Sequence, residues 1–409
     1  MKQQWRRDTA LFLTSQTVSL LGSSLVQYAI LWYITLETSS GSMMTISIIC
    51  GFVPSFFLSP FAGVWADRYN RKTLIMCADA GIALATLVLA ILFMLGYREL
   101  WPLFAISAIR SVGSAIQMPA VGAFLPQIVP EEKLTRVNGI NASIQSALMI
   151  AAPALSGAIL TLFDIVAIFF IDVVTATAAV LTLLIFLRTP AHAKAARRQE
   201  THYLEDMREG FQYMIEHRFL KKLFVFLALF MFLIAPVAFL TPLQVARSFG
   251  ADVWRLTAIE IAFSVGMTLG GIVMAAWGGF RNRTVTMFIS SLLVGASTFA
   301  LGVVWDFTAY LVIMILSGIA IPVFNTPATV ILQEKVENDY LGRVFGVMSM
   351  IVSSAMPLGM LLFGPLADRL EIEWMLIITG ILIFIEGFML ILSKELKEAG
   401  EPHMHAEDL

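Results

Sequence analysis

Leu134-Thr135-Arg136-Val137-Asn138-Gly139 returns 207 residues later as Leu341-Gly342-Arg343-Val344-Phe345-Gly346. Pro119-Ala120 recurs as Pro327-Ala328 at an offset of 208, and Gly157 recurs as Gly364 at 207. Each match alone is weak. Three at a spacing of 207 or 208 in a chain of 409 residues mean that half of the chain is used twice. Long apolar runs surround both copies, so the duplicated unit is a bundle of apolar helices.

Composition fixes the solvent of that bundle. The chain is 58% hydrophobic and 14% charged, where a soluble domain carries about 25% charged residues. So few charges cannot coat a water-soluble surface of this size, which excludes a soluble enzyme and a disordered chain. A net charge of −2 leaves no nucleic-acid footprint. The 27 glycines and 15 prolines, set within apolar runs, suit helices packed in lipid. Cys50 and Cys77, the two cysteines, match no ligand template, so neither a disulfide nor a metal site is expected. The polar stretch 1–8 leads into a run too long for a signal peptide, and the first segment is expected to be retained.

A bilayer core of about 30 Å needs about 20 apolar residues per helix. That window gives twelve segments: 9–36, 43–66, 74–95, 101–121, 138–161, 166–187, 219–246, 254–277, 284–303, 307–331, 343–367 and 374–393. The expected fold is an all-α integral membrane protein of twelve helices in two pseudo-symmetric six-helix bundles. Residues 1–188 form the first bundle, 189–218 a linker, 219–393 the second bundle and 394–409 a tail. In the linker, Leu204, Met207, Phe211, Met214 and Ile215 fall at helical spacing, which predicts an amphipathic helix on the membrane surface. Placing both termini in the cytoplasm puts 22 of the 27 Lys and Arg on the inner side, and four, Arg98, Arg247, Arg255 and Arg369, outside. All eight tryptophans fall at or near segment ends, where an indole meets the interface. A bacterial inner-membrane location follows as the expectation.

Between segments 2 and 3 stands Gly63-Val-Trp-Ala-Asp67-Arg68-Tyr-Asn-Arg71-Lys72. Gly63 would let segment 2 approach a neighbour closely, and Arg68, Arg71 and Lys72 would meet Asp67 or anionic headgroups. The plainer reading is a basic inner loop with no gating role. The pattern resembles the signature loop of the major facilitator superfamily. Arg110-Ser-Val-Gly113 in segment 4 resembles its buried-arginine motif, and Pro153 with Gly157 in segment 5 resembles the motif of its antiporter branches. Within that superfamily the chain is most similar to the macrolide efflux proteins of the drug:proton antiporters, over essentially all twelve segments. The resemblance implies that Asp67 meets the start of segment 11 near Arg343 and Gly346, closing the inner side. The second half has no true copy of the loop. Gly364-Pro-Leu-Ala-Asp368-Arg369 is similar to its stem but lies at the opposite end of segment 11, which reads as coincidence.

Arg110 falls near the midplane, where a cation costs about 2.5–3.5 kcal/mol on insertion scales. It needs an acid or a wet cavity. Four acids are candidates for its partner or for the proton carrier: Glu260 first, then Asp172, Asp79 and Glu386. Asp79 is also close enough in sequence to the signature loop to pair with its cations. A carboxyl whose proton affinity changes as Arg110 moves could load and release protons; a purely structural ion pair is the alternative. His192, His202, His217, His403 and His405 all fall in the linker or tail, so no intramembrane histidine relay is expected.

Gln16, Ser19, Ser23 and Gln27 recur at steps of three and four, a polar stripe predicted to face a substrate cavity. Phe230 and Phe239 of segment 7 are assigned to an aromatic wall, with lipid-facing bulk as the alternative. No catalytic constellation or ATP-binding loop is present, and no cofactor or metal is implied. The expected function is secondary active export of a bulky, macrolide-like amphiphile against protons, by a monomer. Export of an endogenous siderophore or lipid-like metabolite, and a non-transporting partner of an ABC-type resistance protein, are the alternatives.

Overall fold

The computed structural model describes residues 4–187 and 203–401, without the side chains of Gln4, Pro60, Asp67, residues 203–207 and Asn338. His192, His202, His403 and His405, and the side chains of Asp67, Leu204 and Met207, therefore lie outside the described residues. The chain forms α1 (Gln4–Thr38), α2 (Gly41–Arg68), α3 (Arg71–Met94), α4 (Leu100–Ile128), α5 (Leu134–Leu162), α6 (Ile165–Phe186) and α7 (Tyr203–Glu216). It continues with α8 (Arg218–Ser248), α9 (Val253–Trp277), α10 (Arg283–Val303), α11 (Phe307–Lys335), α12 (Asn338–Ala367), α13 (Ile372–Leu392) and α14 (Lys394–Ala399). No strand occurs among the described residues.

Twelve of these helices are long, and eleven are apolar enough to cross a membrane. The twelfth, α4, carries Arg110, Ser111 and Gln117. Those three residues lower its hydropathy without shortening it. Several helices outrun the apolar windows, because helix length is set by backbone hydrogen bonding and not by the hydrocarbon boundary. The signature loop shrinks accordingly. Asp67 and Arg68 close α2, Arg71 and Lys72 open α3, and two residues, Tyr69 and Asn70, connect them. Helix starts are capped by short polar side chains: Asn70 accepts from the Thr73 N–H, Asp164 from Val166, Asn282 from Thr284 and Asp306 from Ala309.

The chain divides into two compact units. Unit 1 is Met1–Thr38, Ile46–Gln199 and Asp252–Thr257; unit 2 is Ser39–Thr45, Glu200–Ala251 and Ala258–Leu409. The first turn of α2 thus belongs to unit 2, and the first turn of α9 to unit 1. In unit 1 a core of Phe12, Phe124, Ile75, Val129 and Leu183 ties α1, α3, α4 and α6 together, with the Phe12 and Phe124 rings 4.8 Å apart. In unit 2 the Phe230 ring stacks on Phe324 at 4.3 Å and on Phe226 at 5.9 Å. Phe230 is fully buried in this stack, and Phe239 is half-buried.

Helix α7 belongs to unit 2 and packs on α12. Its buried residues include Gly210, against Arg343, and Tyr213, which stacks on Tyr340 at 4.4 Å. Ile215, assigned to its apolar face, is exposed. A partner helix therefore takes part of the surface that the sequence pattern assigned to the membrane.

Candidate functional site

Unit 1 brings Arg110 of α4 against Asp172 of α6. Arg110 Nη1 donates to Asp172 Oδ2 and to Thr86 Oγ1, each at 2.6 Å, and Nη2 donates to the Ser23 carbonyl at 2.9 Å. Thr86 Oγ1 lies 2.9 Å from Asp172 Oδ2, and Ser23 Oγ donates to Asp172 Oδ1 at 3.2 Å. The two charged side chains are 10% and 0% exposed. Charge neutralisation plus a partner for each carboxylate oxygen is what makes an ion pair tolerable at such depth. Nearby in the same unit, Asp79 accepts from Gln117 Nε2 at 2.6 Å and from Ser19 Oγ at 3.1 Å, and Gln117 also reaches Gln16 Oε1 at 3.3 Å.

This arrangement reorders the candidates. Asp172, ranked behind Glu260 in the sequence, is the partner of Arg110. Glu260 is half-buried on α9 and forms no ion pair among the described residues. Asp79 binds a hydroxyl and an amide and none of the signature-loop cations. Ser19 and Ser23 turn toward Asp79 and Asp172 inside the unit, so the stripe on α1 is in part a set of donors to buried acids; Gln27 is exposed. Thr86 and Gln117 were not anticipated. Gln117 stands seven residues after Arg110, two helical turns along the same face, and that spacing was the available signal. Glu386, 3% exposed on α13, has no hydrogen-bond partner for either carboxyl oxygen among the described residues.

The cations of the signature motif act as staples. Arg71 Nε donates to the Ala66 carbonyl at 2.9 Å and Nη1 to the Ala123 carbonyl at 2.8 Å, joining α2, α3 and α4. Lys72 Nζ donates to the Leu187 carbonyl at 2.7 Å, where α6 ends. Arg68 is exposed. A Cβ added at Gly63 or at Gly346 would meet no atom of the described residues within 4 Å. Arg343 pairs with Glu209 of α7 at 2.9 Å.

At the opposite end of the helices two clasps hold a helix start. A Cβ at Gly157 of α5 would overlap the Thr257 hydroxyl and lie 2.8 Å from Thr257 Cβ, so glycine is what admits the first turn of α9. Pro153, one turn earlier, is buried. A Cβ at Gly364 of α12 would overlap the Thr45 hydroxyl and lie 2.8 Å from the Gly41 carbonyl, so the repeated glycine does the same for α2. Thr45 Oγ1 donates to the Gly41 and Met360 carbonyls at 2.8 and 3.1 Å. One turn beyond Gly364, Asp368 accepts from the N–H of Gly41 at 2.6 Å, the N–H of Ser42 at 3.0 Å and the Ser40 hydroxyl at 3.0 Å. Arg247 braces it through the Ala367 and Ser39 carbonyls, with Nη2 at 3.7 Å from Asp368 Oδ1. Burial works to raise the pKa of Asp368, but the hydrogen bonds from Ser42, Gly41 and Ser40 outweigh it and the net shift is downward. The Gly364–Asp368 likeness to Gly63–Asp67, read as coincidence in the sequence, is a functioning helix cap.

The family model described as Major Facilitator Superfamily matches residues 12–360 and 237–406. The chain belongs to the major facilitator superfamily. Among proteins of this superfamily it is similar to Macrolide efflux protein A of Streptococcus pyogenes, 30% identical over 396 residues, which cover 96% of this chain and 98% of that one. It is also similar to the Staphyloferrin A transporter of Staphylococcus aureus, 24% identical over 377 residues, covering 91% and 93%. A solved superfamily fold, the bacterial homolog of the human lysosomal transporter Spinster in its inward-facing and unoccupied conformation, superimposes with a TM-score of 0.73 at 14% identity, covering 99% and 100%. Like other superfamily members, this protein is a multi-pass membrane transporter and not an enzyme.

Proposed function

We propose that the protein exports a bulky, macrolide-like amphiphile across the inner membrane in exchange for protons, by alternating access. The observation that carries this reading is the similarity to a macrolide efflux protein over 96% of the chain. On the lysine and arginine distribution, the end at which α1 begins is cytoplasmic and both termini are inside, and the protein works as a monomer.

The buried charges supply a place for coupling. Arg110 and Asp172 neutralise each other and do not need a proton to be stable, whereas among the described residues Glu260 and Glu386 form no ion pair and neither carboxyl oxygen of Glu386 has a hydrogen-bond partner. A proton arriving at either acid has no ion pair to break. Glu260 on α9 is the first choice because it is half-buried and therefore reachable. The clasps at Gly157 and at Asp368 supply the conformational element. Each clasp holds the first turn of a long helix, α9 or α2, so its release frees that turn. Asp67 is the proposed cap for the start of α12.

Purified protein in liposomes under an imposed pH gradient tests this. Macrolide-dependent proton flux is expected, with Glu260→Gln losing uphill efflux while retaining exchange. Macrolide movement with no proton flux would remove the antiport reading. A second reading, export of a siderophore-like metabolite, draws on the similarity to the Staphyloferrin A transporter. It predicts that a polycarboxylate, and no macrolide, drives the flux. No flux with any solute would favour a non-transporting partner of an ABC-type protein.

A further inference from the structure

Arg136 and Arg343 hold the same place in the repeated sequence, yet their surroundings differ. In unit 2, Arg343 pairs with Glu209 of α7 at 2.9 Å and lies 5.6 Å from the Tyr340 ring, on which Tyr213 of α7 stacks. Val344 and Val347 are fully buried at this end of α12. Helix α7 thus covers the start of α12 with a carboxylate and an aromatic ring. In unit 1 Val137, the counterpart of Val344, is also buried, but the turn that follows it has no such cover. Ile140, the counterpart of Val347, is 45% exposed. A groove of about 690 Å³ opens there between α1 and α5. Leu13, Val137 and Ile144 line its apolar part, and Arg6, Lys133 and Arg136 its rim. None of these three cations has an ion-pair partner among the described residues. Trp5 lies beside them, its ring 5.6 Å from the Arg6 guanidinium. Glu131 and Glu132, next to Lys133, do not line the groove.

We propose that this groove binds an acidic phospholipid from the leaflet at this end of the helices. The occupant must provide what α7 provides in unit 2, an anionic group for the arginine and an apolar body for the residues beneath it. A phosphoglyceride has both: its phosphate meets Arg6, Lys133 and Arg136, and its upper acyl chain lies along Leu13, Val137 and Ile144. Three cations converging on one rim favour an anion, and an apolar floor at the membrane surface favours one that carries a chain. Each such cation contributes about fivefold to binding of an acidic lipid.

Native mass spectrometry of the full-length protein, released from detergent with equal amounts of phosphatidylglycerol and phosphatidylcholine, tests the proposal. Retained phosphatidylglycerol is expected to exceed phosphatidylcholine, and to fall at least fivefold in Lys133→Gln/Arg136→Gln. Arg7→Gln, on the same turn of α1 but outside the groove, should leave it unchanged. Melting temperatures of the variants establish that they are folded, and Lys133→Gln alone, on an exposed turn, gives a smaller loss in the same direction. Equal retention of the two lipids, or unaltered phosphatidylglycerol in the double variant, would overturn the proposal. So would displacement of the lipid by a macrolide, which would make the groove part of the substrate path. A rise in lipid retention on removing residues 402–409 would likewise assign the groove to the chain's own tail.

Discussion

Asp368 accepts the Gly41 backbone N–H at 2.6 Å, so a carboxylate at the end of α12 closes the start of α2. A helix start carries about +0.5 of an elementary charge and unpaired N–H groups, and an acid placed there satisfies both. Asp368→Ala should cost about 0.5–2 kcal/mol, the usual loss of a cap. Hydrogen exchange at residues 42–45 should accelerate more than elsewhere. Exchange rising uniformly along the chain would mean that the contact is not local.

The same carboxylate gives a pH dependence of known sign. Its folded pKa lies below the ordinary value, about 3.9 for an unfolded aspartate. Its contribution is therefore present in full above the unfolded value and is lost as pH falls through the folded one. The difference in melting temperature between the native protein and Asp368→Ala should be constant at neutral pH and should close below about pH 4. A difference that widened on acidification would contradict the cap.

Gly157→Ala should be poorly tolerated, because its Cβ would overlap the Thr257 hydroxyl. Overpacking of this kind costs about 1–3 kcal/mol. Adding Thr257→Ala removes the hydroxyl and should recover part of that loss, since Thr257 Cβ at 2.8 Å still intrudes. Thermal melting of the single and double variants reads the recovery; its absence would place the strain elsewhere.

Arg110→Leu leaves Asp172 fully buried beside Thr86 and Ser23 with no counter-charge, and should destabilise by about 3–5 kcal/mol. Arg110→Leu/Asp172→Leu should be more stable than the single variant. Arg110→Lys should not restore the native value, because Nη1 and Nη2 serve different elements, α6 and α3 on one side and α1 on the other. Additive losses in the double variant would show that the pair is not a unit.

Glu386 tests structure against coupling. Neither oxygen is hydrogen-bonded among the described residues, so Glu386→Leu removes an uncompensated polar group, worth about 1–3 kcal/mol. A higher melting temperature with transport lost would assign Glu386 to function; a higher melting temperature with transport kept would make it dispensable. A lower melting temperature would mean that the carboxyl is satisfied after all.

Much of the site was legible, but unevenly. That Arg110 needs an acid follows from the cost of burying a cation, so a carboxylate partner could be anticipated. Which carboxylate could not: Glu260 and Asp172 both sit about six residues into their helices, and only the close approach of α1, α3, α4 and α6 selects Asp172. The α1 stripe was visible as periodicity, yet periodicity names a face and not what that face meets. In one dimension nothing relates Asp368, at the end of one span, to the start of another. In the folded chain the start of α2 supplies the backbone donors, and backbone donors leave no trace in residue types.

The sequence by itself determined the solvent, the helices and the duplication. Those depend on sums over many residues, apolar content and spacing, which no single contact can reverse. Tertiary structure alone decided which acid neutralises Arg110, that α7 covers one half and leaves its counterpart groove open, and that Gly157 and Gly364 each admit a threonine from another helix. These outcomes turn on distances of a few ångströms between residues far apart in the chain, where hydrogen bonds and steric overlap change within a fraction of an ångström.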